Sequence, residues 1–310
     1  MAINMKGESF ISINDLSQEK IFQIFDLSSS LKYKAMTGEP HALLAGKTLG
    51  MIFSKPSTRT RVSFEVGIYQ LGGAGMYFGP NDLQLKRSES IPDTAKVLSR
   101  YLDGIMIRTF DHQDVIDLAK YASIPVINGL TDLLHPCQVL TDLFTILEKK
   151  RVLKGLKLAY IGDGNNMSHS LLHGCSKVGM NISIAAPKGY KPRKQIVENA
   201  VINAKYTGSK IEILDDPVAA VKDADIIYTD VWASMGQEAE SEKRKKIFKK
   251  YQVNSQLVKH TKEDYLFMHC LPAHRGDEVT DEIADSPNSV IFDEAENRLH
   301  VQKAIMTLVM

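Results

Sequence analysis

An alternation of short apolar runs and amphipathic stretches, which runs through the first half of this 310-residue chain and then starts again, constrains the fold most. Ser12, Asn14 or Asp15 caps a first helix with Leu16, Ile21, Phe22, Ile24, Phe25 and Leu27 on its buried stripe. Thr48–Phe53 reads as a strand, Gly72–Phe78 as a turn into a short strand, and Ile91–Tyr101 as a helix. Gly104–Arg108 is a buried strand that ends in a charge, followed by helix Asp114–Tyr121, strand Pro125–Asn128 and helix Gln138–Lys150. The pattern restarts at Lys157–Gly164, a strand then a turn, with helix Ser168–Val178 and strand Asn181–Ala186 after it. Strand Glu212–Leu214, helix Pro217–Val221 and strands Asp225–Asp230 and Tyr265–His269 complete it. Repeated strand–helix order predicts parallel sheets with helices on both faces. The expected fold class is α/β: two doubly wound parallel-sheet domains of similar size, with the active site in the cleft between them. Their expected spans are 1–148 and 149–295, joined near the charged stretch Glu148–Gly155. The highly charged segment Gln237–Lys250 is expected to be a solvated helix or a mobile loop.

Bulk properties exclude several classes of function. Lysine and arginine total 38 against 37 acidic residues, so no basic excess points to nucleic acid or an anionic membrane surface. Three scattered cysteines, Cys137, Cys175 and Cys270, argue against a disulfide framework and for a reducing compartment. The first residues carry no long apolar core, and no apolar run reaches membrane-spanning length. A soluble cytoplasmic protein is the expectation.

In open parallel sheets, ligands bind beyond the carboxyl ends of the strands, so polar motifs at strand ends matter most. Ser54-Lys55-Pro56-Ser57-Thr58-Arg59-Thr60-Arg61 follows the first strand and opens a helix. Ser and Thr at a helix start ordinarily cap it. Two arginines and a second threonine in the same turn also make it a site for an anion such as phosphate, with Arg59 or Arg61 supplying a planar fork. Arg108 ends a strand, and His135 and Gln138 bracket a helix start as donors for a carbonyl or amide. Gly162-Asp163-Gly164-Asn165-Asn166 is half of a dinucleotide fingerprint, with Met167 where the third glycine belongs. Cys270 is either inert packing or a thiol beside Asp230 or a histidine. The spacing of Cys270, His269 and His274 matches no zinc pattern, so no metal is expected. Trp232 anchors a loop that continues into Ser234-Met235-Gly236.

With these residues in view, the chain resembles the aspartate/ornithine carbamoyltransferase family. Ser57-Thr58-Arg59-Thr60-Arg61 and His135-Pro136-Cys137-Gln138 match the signature shared by both branches. Asp230 with Ser234-Met235-Gly236, and His269-Cys270-Leu271-Pro272, match the ornithine branch. The resemblance covers essentially the whole chain. It implies carbamoyl transfer from carbamoyl phosphate to the side-chain amine of L-ornithine, by direct amine attack without cofactor, metal or covalent intermediate. Ser57, Thr58, Arg59 and Thr60 would bind the phosphate; Arg108, His135 and Gln138 the carbamoyl end; and Arg298 the same ligand. Gln84 would reach into a neighbouring subunit's site. Asn166, Asp230, Ser234 and Met235 would bind the amino-acid end of ornithine. Cys270 and Leu271 would lie by its reacting amine, next to the carbamoyl phosphate. Arg108, His135 and Cys270 are the implied catalytic set. The resemblance further implies a homotrimer or a multiple of trimers, and a C-terminal helix, about 296–310, packed back on the first domain. The Ala273-His274-Arg275-Gly276 tail looks like the biosynthetic form, for arginine synthesis. Competing readings are carbamoyl transfer to putrescine, acetylornithine or aspartate, a nucleotide-binding oxidoreductase resting on Gly162 and Gly164, and a non-catalytic phosphate-binding protein.

Overall fold

The computed structural model describes residues 2–83, 89–233, 236 and 238–310. Its contacts divide into two units, Met1–Phe144 with Glu296–Met310, and Thr145–Ala295.

In the first unit, helix α1 (Gln18–Thr37) precedes strand β1 (Thr48–Phe53) and helix α2 (Thr58–Gln70). Strand β2 (Ala74–Phe78), helix α3 (Ile91–Leu98), strand β3 (Gly104–Arg108), helix α4 (His112–Tyr121), strand β4 (Val126–Leu130) and helix α5 (Pro136–Lys150) follow. The sheet is parallel, in the order β2-β1-β3-β4. β3 and β4 are buried along their whole length, because helices cover both faces. Ile52, Leu98, Ile105, Ile107, Val115 and Val126 form the core on one face. The chain leaves β1 toward β2 and returns to β3 on the other side, so the order reverses between β1 and β3. That reversal opens a crevice at their carboxyl ends. The start of the first helix differs from expectation. Ser17, accepting from Lys20 N at 3.3 Å, caps α1, whereas Ser12 caps one separate 3-10 turn, Ile13–Asp15.

The second unit runs β5 (Lys157–Ile161), α6 (Asn166–Val178), β6 (Asn181–Ala185), α7 (Lys194–Thr207), β7 (Ile211–Leu214), α8 (Pro217–Val221) and β8 (Ile226–Thr229). Next come α9 (Ser241–Phe248), α10 (Ser255–Val258), β9 (Leu266–Met268), α11 (Asp281–Ala284) and α12 (Ile291–Val309), whose later turns belong to the first unit. Its parallel sheet has the order β7-β6-β5-β8-β9, with the reversal between β5 and β8. Two doubly wound parallel-sheet units are thus present. The charged segment before Lys250 is not simply solvated. Phe248 is fully buried against Trp232, Tyr190 and Tyr251, and Arg244 is buried as well. One aromatic and one arginine anchor a helix that has no apolar stripe. Among the described residues, no helix is long and apolar enough to cross a membrane.

Two buried histidines make stability depend on pH. Burial, with His169 and Lys177 nearby, lowers His173 to about 4, and burial with Lys303, Lys32 and His41 lowers His300 to about 3. Both are neutral when folded and protonate near pH 6.5 when unfolded. Below that pH the unfolded chain binds more protons, so stability falls as pH falls and is regained above pH 6.5. At pH 5 each costs about 2 kcal/mol, from roughly 1.5 pH units at about 1.36 kcal/mol each. Replacing His173 or His300 by Gln should therefore flatten the fall in urea stability between pH 7 and pH 5 by about 2 kcal/mol; an unchanged fall would contradict the neutral assignment.

Candidate active site

The reversal between β1 and β3 brings the first motif to Arg108. Ser57 caps α2, its Oγ accepting from Thr60 N at 3.2 Å. Thr60, in the first turn, is buried, and its Oγ1 accepts from Arg108 Nη1 at 3.4 Å and from Arg298 Nη2 at 3.0 Å. Arg298 Nη1 also donates to Gln138 Oε1 at 2.6 Å, and Gln138 Nε2 donates to Asp142 Oδ1 at 2.7 Å. Gln302 fits its neighbours only with its amide oxygen toward Arg298, accepting from Nε and Nη2 at 3.0 Å. Thus Ser57, Thr60, Arg108, Gln138 and Arg298 form one bonded cluster beside a helix N-terminus. Thr58 is exposed and Arg59 half-buried in the same turn. The choice between the two arginines resolves by geometry. Arg61 lies 4.0 Å over the Tyr77 ring and pairs with Glu65, on the outer face of α2. Arg59 is close enough to act electrostatically on His135.

His135 immediately precedes α5 and is buried. Burial, then the charges of Arg298, Arg108 and Arg59, hold its imidazole well below the usual range. The ring is therefore neutral at pH 7, with one N–H donor and one acceptor. Cys137, in the same motif, donates to Asn128 O at 3.3 Å, and burial pushes its thiol up to about 12. It is packing, not a nucleophile.

In the second unit the reversal between β5 and β8 joins Asn165 to Asp230. Asn165 caps α6, its Oδ1 accepting from Met167 N at 3.0 Å and Ser168 N at 3.2 Å. Its Nδ2 donates to Asp230 Oδ2 at 2.7 Å, and Tyr160 Oη donates to its Oδ1 at 3.1 Å. Asp230 Oδ1 accepts from Cys270 Sγ at 3.2 Å and Val231 N at 2.8 Å. A thiol that donates its proton to a carboxylate is not poised as a thiolate. Asn166 is half-buried at the first position of α6. Leu271, next to Cys270, has φ 57°. Gln84, Ser234 and Met235 lie outside the described residues.

Asp230, His269 and Cys270 bring ligand-type atoms within 4.8 Å of one another. His269 has no lone pair to offer, however. Its Nδ1 accepts from Leu271 N at 2.9 Å, so the proton sits on Nε2, which faces Glu278 Oε1 at 3.3 Å. The group serves to shape the turn at Cys270 and Leu271. The half-fingerprint also has a structural explanation. A Cβ on Gly164 would lie 2.3 Å from Lys191 C and Pro192 N, and Gly164 N donates to Tyr190 O at 2.7 Å. The chain's own backbone occupies the approach that a pyrophosphate would need.

Residues 8–148 match the carbamoyl-P binding domain of aspartate/ornithine carbamoyltransferase, and residues 154–309 match its Asp/Orn binding domain. The chain belongs to the aspartate/ornithine carbamoyltransferase family. It is 60% identical over its full length to the ornithine carbamoyltransferase of Thermococcus kodakarensis, covering 98% of that protein. It is 57% identical over its full length to the anabolic ornithine carbamoyltransferase of Pyrococcus furiosus, covering 98% of it. A solved ornithine carbamoyltransferase from Pyrococcus furiosus superposes with a TM-score of 0.98 at 57% identity, covering 100% of this chain and 99% of that one. The anabolic enzyme of Campylobacter jejuni gives 0.91 at 43% identity, covering 96% and 97%.

Motif reading takes Asn165 only as a helix-start donor to a small carboxylate, and it passes over Gln302, Asp142 and Glu278. Asn165 had a usable signal, since Asn before a helix is a strong cap. Gln302 lies four residues after Arg298, which puts both on one face of a helix. Asn165→Ala removes a cap and frees Asp230. We expect about 1–2 kcal/mol lower stability and at least about tenfold weaker use of the amine substrate. Unchanged kcat/KM for that substrate would show that Asp230 needs no such tether.

Proposed function

We propose that the chain transfers the carbamoyl group of carbamoyl phosphate to the side-chain amine of L-ornithine, giving L-citrulline and phosphate in the direction of arginine synthesis. The convergence of Arg108 and Arg298 on the Thr60 hydroxyl, beside a neutral His135, carries this reading. Ser57, Thr58, Arg59 and Thr60 take the phosphate at the start of α2, where free N–H groups and the helix dipole favour an anion. Arg108, His135, Gln138 and Arg298 take the carbamoyl end. Asn166, Asp230, Ser234 and Met235 take ornithine, with Cys270 and Leu271 by the amine.

The amine has an ordinary pKa of roughly 10.4, so its neutral form costs about 4–5 kcal/mol at neutral pH. Exclusion of water lowers that cost, because burial disfavours the charged form. The amine nitrogen attacks the carbamoyl carbon, and the oxygen becomes an oxyanion. Thr60, Arg108 and His135 are suitable donors to it. A neutral imidazole donates one N–H there without drawing off the arginines' positive field. Collapse breaks the carbon–oxygen bond, and the proton shed by the nitrogen passes to the departing phosphate, which leaves as hydrogen phosphate. No electrons are exchanged, so this chemistry requires no redox cofactor. Cys270, hydrogen-bonded to Asp230, positions the amine and does not attack.

The proposal includes a homotrimer or multiple of trimers, with Gln84 reaching a neighbouring subunit, and a cytoplasmic location consistent with three free cysteines. Assay with ornithine, putrescine, acetylornithine and aspartate as parallel acceptors tests the reaction. Turnover confined to ornithine is expected; turnover with another acceptor would keep the carbamoyl phosphate half and overturn the ornithine assignment. In the same assay Cys270→Ser should lose about tenfold or more in kcat/KM for ornithine, and full retention would remove Cys270 from the set.

A further inference from the structure

Lys55 precedes the phosphate-binding turn by two residues, yet its side chain turns away from α2. It is only 4% exposed. Its Nζ bonds Asp132 Oδ1 and lies 4.1 Å over the Phe110 ring. Asp132 itself is largely exposed, so the ammonium is the member of the pair that is taken out of water. A buried ammonium is costly unless it is paired.

The three partners come from three strand ends. Lys55 follows β1, Phe110 follows β3, and Asp132 follows β4, three residues before His135. Backbone bonds join only adjacent strands here. Ser54 N donates to Arg108 O at 2.8 Å, Thr109 N to Leu130 O at 3.0 Å, and Asp132 N to Phe110 O at 2.9 Å. β1 and β4 are not adjacent; β3 lies between them, which separates them by about 10 Å at two strand spacings. No ladder bond can bridge that gap, but a long lysine side chain meeting an aspartate can.

We propose that Lys55 is a positioning residue: its ammonium, held by Asp132 and Phe110, locks the turn carrying Ser57–Thr60 to the loop carrying His135. Arg108, on the strand between them, is clamped in the same act. Lys55 then acts on the reaction through Asp132, not through contact with the substrate. The inference rests on the carbamoyl-transfer reading.

Turnover of the full chain is measured for the unsubstituted protein, Lys55→Met, Asp132→Asn and the double variant, each with its thermal midpoint. Each single change should lower kcat roughly 10- to 100-fold, the scale of a misplacement of about 1 Å. KM for carbamoyl phosphate should rise by a similar factor in both single variants, because the tie holds the turn that takes its phosphate. The double variant should lose no more than the worse single variant, because both changes break one tie. Lys55→Arg should recover most of kcat, since it keeps both the charge and the ring contact. A raised KM with Lys55→Met alone would mean direct contact with the anion and overturn the proposal. A lowered midpoint with kcat unchanged would reduce the pair to ordinary stability and overturn it as well. Absence of turnover in the unsubstituted chain would overturn the functional reading and this inference together, whereas normal turnover in every variant would overturn this inference alone.

Discussion

Two guanidinium groups share one buried hydroxyl at the start of α2, and much of the first unit is arranged around that contact. Arg108 arrives from the end of β3 and Arg298 from α12, and both donate to Thr60 Oγ1. Like charges brought together out of water repel, more strongly as the local dielectric falls. Gln138, Asp142 and Gln302 hold the donors in place. The same field, added to burial, keeps His135 neutral. A phosphate bound there would relieve the repulsion and collect the helix N–H groups as well. On the proposed reading the site is built for an anion before the anion is present, the condition for electrostatic stabilisation without reorganisation.

The second unit applies the same topological rule to opposite chemistry. Its order reversal places Asn165 against Asp230, and the carboxylate also takes the Cys270 thiol. Where the first unit gathers positive charge, the second fixes a negative one, suited to an ammonium group. On the proposed reading, one fold rule, ligands at the switch point of a parallel sheet, gives a phosphate cradle in one unit and an amine acceptor in the other.

Much of this was legible in the amino-acid order. The alternation of buried runs with helical stretches marks most strands to within a residue or two, because strands covered on both faces need continuous apolar runs. The motifs at strand ends mark where the ligand groups gather. Other features carried no local signal. Helix α7 begins without a side-chain cap and buries only Ile196 and Ala200, so neither its start nor its stripe stands out. Arg59 and Arg61 are indistinguishable until Tyr77 and Glu65 take one of them. Gly164 reads as a nucleotide glycine until Lys191 and Pro192 are seen against it. Nothing local singles out Lys55, because its partner lies 77 residues away. In each case the deciding contact is tertiary, and local pattern is silent about it.

Calorimetric titration with carbamoyl phosphate alone, with no acceptor present, tests the central claim most directly. The account predicts saturable binding of about one ligand per chain, weakened at least about tenfold, or about 1.4 kcal/mol, by Arg298→Gln. Absence of binding without an acceptor, or binding indifferent to Arg298→Gln, would contradict a preformed anion site at Thr60.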